Sequence, residues 1–252
     1  MIGIIDSGFG GLSAVAEIFR QKRRVPFVYL GDNYNVPYGI KNQEEITYLS
    51  CRMIDYLITH YEIDTLIIAC NTIVAAALPQ IVQKYPQLVI EDVVSHGAIA
   101  AKMTMSNQVC VLATDFTVRS HIYTKKITDF ATNVDVCEIS AQPWVKIIEE
   151  GSLITNDILM PILDKIKPNT DILILGCTHF PFLYRAIRAK LPETITIVDP
   201  AISCITQLDY LDCDNWLEKT VFLTSGAAED FACFVSERRL DQFEIPIKQI
   251  KW

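Results

Sequence analysis

Two cysteines, Cys70 and Cys177, close two segments of the same design. DTLIIACNT (64–72) and DILILGCTH (171–179) each pass from an aspartate through an apolar run to a small residue, a cysteine and polar groups. The two cysteines stand 107 positions apart. A thiol suits proton transfer because its pKa lies near working pH, so thiol and thiolate are both accessible. A single cysteine ending an apolar run is ordinarily a small core residue. Two at matched places, followed by Asn71 and Thr72 in one case and Thr178 and His179 in the other, read instead as a pair.

The elements that must position them follow from the apolar pattern. A short apolar run ending abruptly in polar residues reads as a buried parallel strand, with ligands collecting beyond its C-terminal end. Met1–Ile5 is another such strand, and Asp6-Ser7-Gly8-Phe9-Gly10-Gly11 is a glycine-rich turn into a helix beginning near Leu12. Its backbone N–H groups could face an anion. No lysine follows and Asp6 would repel a phosphate, so a small ligand with both a carboxylate and an ammonium suits the turn better. A strand over Phe27–Leu30 leads to Asp32 and the loop Val36-Pro37-Tyr38-Gly39, and helical spacing follows from Ile46 to His60. Helices around 73–84 and 96–105 flank a strand at Leu88–Val93.

The pattern then begins again. QVCVLATDFTVRS (108–120) repeats the strand, turn and helix start of the N-terminus, with Ala113 in the place of Asp6. Lys84–Val93 and Lys190–Asp199 also correspond, at an offset of 106. Three pairs at nearly one offset indicate an internal duplication. The expected fold is α/β, with two similar lobes related by a pseudo-twofold axis, each a mainly parallel sheet flanked by helices. Residues 96–209 form the second lobe. The first is 1–95, joined by the tail 210–252, in which VFLTSG (221–226) is a strand followed by a helix. Face-to-face packing would bring Cys70 and Cys177 to one cleft from opposite sides. Two proton-exchanging groups on opposite faces of a carbon are what racemization requires.

Composition narrows the alternatives. A net charge of −8 on 252 residues argues against a general nucleic-acid binder. The basic run Arg20–Arg24 reads as a solvated helix end. No apolar stretch is long enough to span a membrane, and the start MIGIID reads as a core strand that leaves no room for a signal peptide. Cys51, Cys110, Cys137 and Cys233 sit in apolar periodic segments, and no CxxC pair or zinc spacing occurs. A reducing, cytoplasmic setting without a bound metal is expected. His60, His96 and His121 read as structural or solvated. No lysine lies within the site motifs, which disfavours a pyridoxal enzyme; Lys41 is the nearest. A one-thiol lyase leaves the second cysteine without a role, and an amino-acid-binding protein leaves both unexplained.

DSGFGGLS (6–13), VPYG (36–39), ACNT (69–72) and LGCTHFP (175–181) closely resemble the signatures of glutamate racemases, in the same order along the whole chain. The resemblance implies interconversion of L- and D-glutamate without a cofactor, supplying D-glutamate for peptidoglycan. It implies Cys70 and Cys177 as the acid/base pair and Asp6, Ser7, Tyr38, Gly39, Asn71, Thr72, Thr178 and His179 as substrate contacts. Asp6 and His179 match the residues that assist the thiols, and Glu149 matches a later acidic position. Glutamate is the implied partner, with a homodimer admissible and neither nucleic acid nor membrane involved. There are departures. Ile73-Val74 follow ACNT where small residues are common, Ala113 replaces a usual glycine, and Ala141-Gln142 stand where a Cys-Pro pair is frequent. Asp6 lies close to Met1, without the extension carried by activator-dependent members, so activation by a precursor is not expected.

Overall fold

The computed structural model describes residues 1–251. Strands β1 (Ile2–Asp6), β2 (Phe27–Gly31), β3 (Thr65–Ile68) and β4 (Val89–Asp92) belong to one parallel sheet; β5 (Gln108–Ala113), β6 (Asp135–Ser140), β7 (Ile172–Gly176) and β8 (Thr196–Val198) form another. β9 (Val221–Thr224) and β10 (Ile247–Gln249) extend the first sheet, whose order is β10-β9-β2-β1-β3-β4. The second runs β6-β5-β7-β8, so the order 2-1-3-4 occurs twice. β1, β2, β3 and β7 are buried along their whole length, as strands covered by helices on both faces must be.

Strand register shows the duplication more closely than the sequence does. Ile5 lies opposite Ile68, and Leu112 opposite Leu175, a displacement of 107 in both members. Ile67 pairs with Glu91, and Ile174 with Val198, again 107 apart. The offset of 106 seen from Lys84 and Lys190 is therefore absorbed in the connection ahead of β4 and β8. Beyond those strands Asp92 and Asp199 each cap a helix, accepting from Ser95 N and Ala201 N. The Asp92 cap starts its helix at Val93 rather than near 96. It ends at Ile99 and tightens into a 3₁₀ turn over Ala100–Met103.

Alternating side chains place the core on both faces of both sheets. Ile4, Leu112, Leu173 and Leu175 share one apolar cluster with Trp144 and Phe222. Ile5, Val111, Ile172 and Ile174 share the other with Leu57 and Ile73. Each cluster runs without a break from one sheet to the other. The helix Val93–Ile99 leaves the first sheet and packs on the helices Ile122–Thr128 and Pro200–Thr206 beside the second.

The basic run is more than a solvated helix end. Arg23 donates to the carbonyls of Leu208 and Tyr210 at 3.2 and 2.8 Å, and Arg24 pairs with Asp214 at 2.9 Å. These contacts fasten the connection into the tail. Cys233, read from the sequence as part of an apolar periodic segment, is exposed on the helix Ala228–Glu237. Among the described residues no helix is long and apolar enough to cross a membrane.

One buried hydrogen bond ties the second lobe's helices to the start of the helix Asn71–Lys84. Tyr123, fully buried, donates to Asn71 Oδ1 at 2.7 Å. Tyr123→Phe would leave that oxygen without its donor. The expected loss is about 1–3 kcal/mol of unfolding free energy, measured by urea denaturation.

Candidate active site

In a doubly wound sheet the crevice lies where strand order reverses, here between β1 and β3 and again between β5 and β7. Both crevices open into one narrow, nearly closed cavity. Ser7 enters from beyond β1, Cys70, Asn71 and Thr72 from beyond β3, Thr114 from beyond β5, and Cys177, Thr178 and His179 from beyond β7. Tyr38 and Gly39 come from the loop after β2, and Gln142 and Val145 from the helix Gln142–Glu149 after β6. Of the acid/base pair and substrate contacts inferred from the sequence, all line the cavity except Asp6. None of their side chains is more than 6% exposed.

The chemistry around the two sulfurs differs. Cys70 Sγ donates to Ser7 Oγ at 3.4 Å. Burial, reinforced by the nearby Asp6 carboxylate, pushes this thiol up to about 12, against the opposing pull of Ser7 and the Ile73 N–H. Cys177 Sγ lies 3.6 Å from His179 Nδ1, and His179 Nε2 lies 2.5 Å from Glu149 Oε1. Burial lowers the affinity of His179 for its second proton. Its hydrogen bonds to Cys177 and Glu149 and the charges there outweigh that, holding the imidazole well above its ordinary range. His179 thus bridges Cys177 and Glu149, and both favour its protonated form.

Asp6 is fully buried, and burial raises it from 3.8 to about 6 despite the nearby His179 and donors from Gly8, Thr178 and Gly11. The glycine-rich turn therefore spends its amides on the protein's own carboxylates. Gly8 N donates to Asp6 Oδ1 at 3.0 Å, and Phe9 N to Glu149 Oε1 at 3.1 Å. This corrects the expectation that the whole turn cradles a ligand; only Ser7 lines the cavity. Glycine at position 10 has a steric cause. A Cβ there would collide with Thr178 Oγ1 and lie 2.5 Å from His179 Nδ1.

The Tyr38 hydroxyl turns away from the cavity, donating to Asp32 Oδ2 at 2.6 Å, and Ser225 of the tail donates to Asp32 Oδ1 at 2.5 Å. Thr72 and Thr114 hydroxyls meet across the lobes at 2.9 Å, and Thr117 continues the chain at 3.0 Å. Thr114 was not among the substrate contacts inferred from sequence, although the offset of 107 places it opposite Ser7. Gln142 and Val145 carried no such signal. Glu149, matched by resemblance alone, is fixed by His179 and Phe9 rather than lining the cavity.

Residues 2–208 match the family model described as Asp/Glu/Hydantoin racemase. The chain belongs to the Asp/Glu/Hydantoin racemase family. A glutamate racemase of Limosilactobacillus reuteri is 34% identical over 91% of this chain and 89% of its own. Among solved structures, the glutamate racemase isoform RacE1 of Bacillus anthracis superposes with a TM-score of 0.89 at 29% identity, covering 100% of this chain and 97% of that one. A Francisella tularensis glutamate racemase, crystallised in complex with D-glutamate, gives 0.86 at 25% identity, covering 99% and 97%.

Asp6 makes stability depend on pH in this racemase-family member. Below about 3.8 the carboxyl is protonated both folded and unfolded, and its shift contributes nothing. As pH rises the unfolded chain ionises first, and stability is lost until the folded group titrates near 6. Asp6→Asn removes this dependence. Relative to that variant, the parent protein should gain roughly 3 kcal/mol between pH 7.5 and pH 4. Urea unfolding of both proteins at the two pH values measures it.

Proposed function

We propose that this protein interconverts L- and D-glutamate, using Cys70 and Cys177 as the two proton-exchanging groups, and that it supplies D-glutamate for peptidoglycan in the cytoplasm. The observation that carries the reading is that two thiols from equivalent strand ends face one small cavity. The relatives named glutamate racemase supply the substrate. With Cα between the sulfurs, one thiolate removes the α-proton while the other thiol delivers a proton to the opposite face. The two directions of reaction exchange these roles.

The surroundings give each thiol a proton partner. His179, held by Glu149, can exchange a proton with Cys177 through Nδ1. On the other side, the raised pKa of Cys70 keeps it protonated, ready to donate. The substrate ammonium brings positive charge toward Asp6 and relieves the repulsion that the carboxylate exerts on a Cys70 thiolate. Negative charge developing on the substrate is met by the start of the helix Asn71–Lys84. The Ile73 N–H of its first turn supports the Cys70 sulfur, and the N–H groups of Asn71 and Thr72 can face the charge. Among the described residues no lysine lines the cavity, so no aldimine partner stands within reach.

Single substitutions test the pair. Ser in place of Cys70 or Cys177 leaves one face served by a hydroxyl, a far weaker acid than a thiol. Racemization should fall by at least about a thousandfold in each variant, followed by circular dichroism with either enantiomer after dialysis against EDTA and with a carbonyl scavenger present. With a glutamate analogue carrying a leaving group on the β-carbon, abstraction from one face suffices for elimination. Each variant should then eliminate from one enantiomer only, and the two should prefer opposite ones. A shared preference would show that the thiols do not oppose each other across Cα.

A further inference from the structure

Gln142 lines the cavity. Its carboxamide is oriented by a donor that cannot be reversed. Asp115 N–H points at it, and a backbone N–H only donates, so the oxygen Oε1 must face Asp115, at 3.2 Å. That oxygen also packs on Gly39, where any side chain would collide with it and lie 2.9 Å from Thr114 Cβ. Asp115 is itself held by Ser140 Oγ, and Ser140 Oγ accepts from Gln142 N at 3.4 Å. With the oxygen committed, the two N–H donors of Nε2 point away from Asp115.

Strand order indicates which part of a ligand they would meet. β3 and β7 carry the thiols, whereas the loops bearing Gly39 and Gln142 leave β2 and β6. In each sheet these lie on the far side of the intervening strand, two strand spacings or about 10 Å from the thiol-bearing one. Groups attached directly to Cα stay near the sulfurs and their neighbours Asn71, Thr72, Thr178 and His179. The Gly39–Gln142 end of the cavity is left for the part of the substrate farthest from Cα.

We infer that Gln142 is a substrate-binding residue of this chain, its Nε2 donating to the side-chain carboxylate of glutamate while Asp115 N–H and Gly39 hold the amide oxygen. This rests on the glutamate racemization proposed above. A donor here favours a substrate long enough to reach it over a shorter dicarboxylate.

Gln142→Glu is a close test, because it keeps an oxygen for Asp115 N–H and replaces the amino group by a second, negatively charged oxygen. At the first position of its helix an acidic residue is also well tolerated. Gln142→Met removes both polar atoms at similar length. For Gln142→Glu the KM for both glutamate enantiomers should rise roughly 10- to 100-fold, with kcat within about threefold of the parent and an unchanged urea midpoint. Gln142→Met should show a smaller rise. A parent protein that racemizes glutamate beside a Gln142→Glu variant with KM unchanged within twofold overturns the assignment of Gln142 alone. A fall in kcat and urea midpoint without a rise in KM also overturns it, leaving a structural role. A parent protein with no glutamate turnover overturns the proposed function and this inference together.

Discussion

Everything at the shared cavity depends on how closely two turns approach, and residue 10 is where they touch. The turn after β1 and the turn after β7 come together with no room for a Cβ on Gly10 against Thr178 and His179. Through that contact Thr178 reaches Asp6 at 3.0 Å and Glu149 accepts from both His179 and the Phe9 amide. A side chain at position 10 would push the lobes apart and separate these groups at once. Close packing here sets the electrostatics, because burial is the largest influence on Asp6 and Cys70.

The duplicated frame carries unequal charges. The strand ends match in register, so Cys70 and Cys177 occupy equivalent places. Asp6, however, is matched by Ala113, and His179 by Thr72. One lobe thus contributes a buried acid and the other a buried base, and they attract each other inside the joint. A symmetric pair of acids there would repel, and a symmetric pair of imidazoles would leave the carboxylates of substrate and protein as the only balance. The asymmetry lets two copies of one architecture close on each other with opposite charges facing across the joint.

What could be read from the chain tracks how apolar each element is. β1, β3, β5 and β7 are nearly continuous apolar runs, and they are the strands that hold Asp6, Cys70, Thr114 and Cys177. β6 was not anticipated, because Asp135, Glu138 and Ser140 interrupt DVCEIS on a half-exposed edge strand. The helix Gln142–Glu149 that follows it, and with it Gln142, went unread for the same reason. Asp32 was visible only as a strand end. Its task of holding the Tyr38 hydroxyl away from the cavity depends on Ser225, which lies 193 positions away and has no sequence signal linking it to the loop. Partners distant in sequence and contributed by backbone, such as Phe9 N to Glu149, leave no pattern to read.

The place of β9 has a consequence for the order in which the molecule can be completed during synthesis. β2 is fully buried, and its outer edge is covered by residues 221–224, with β10 beyond them. Until the ribosome has released that stretch, β2 presents an open, apolar edge of the kind that pairs with stray strands. The second sheet, by contrast, is contiguous from Gln108 to Val198 and takes no strand from the tail. The lobe translated first is therefore finished last. The nascent chain must shelter an unpaired strand edge while its C-terminal partner is still being made.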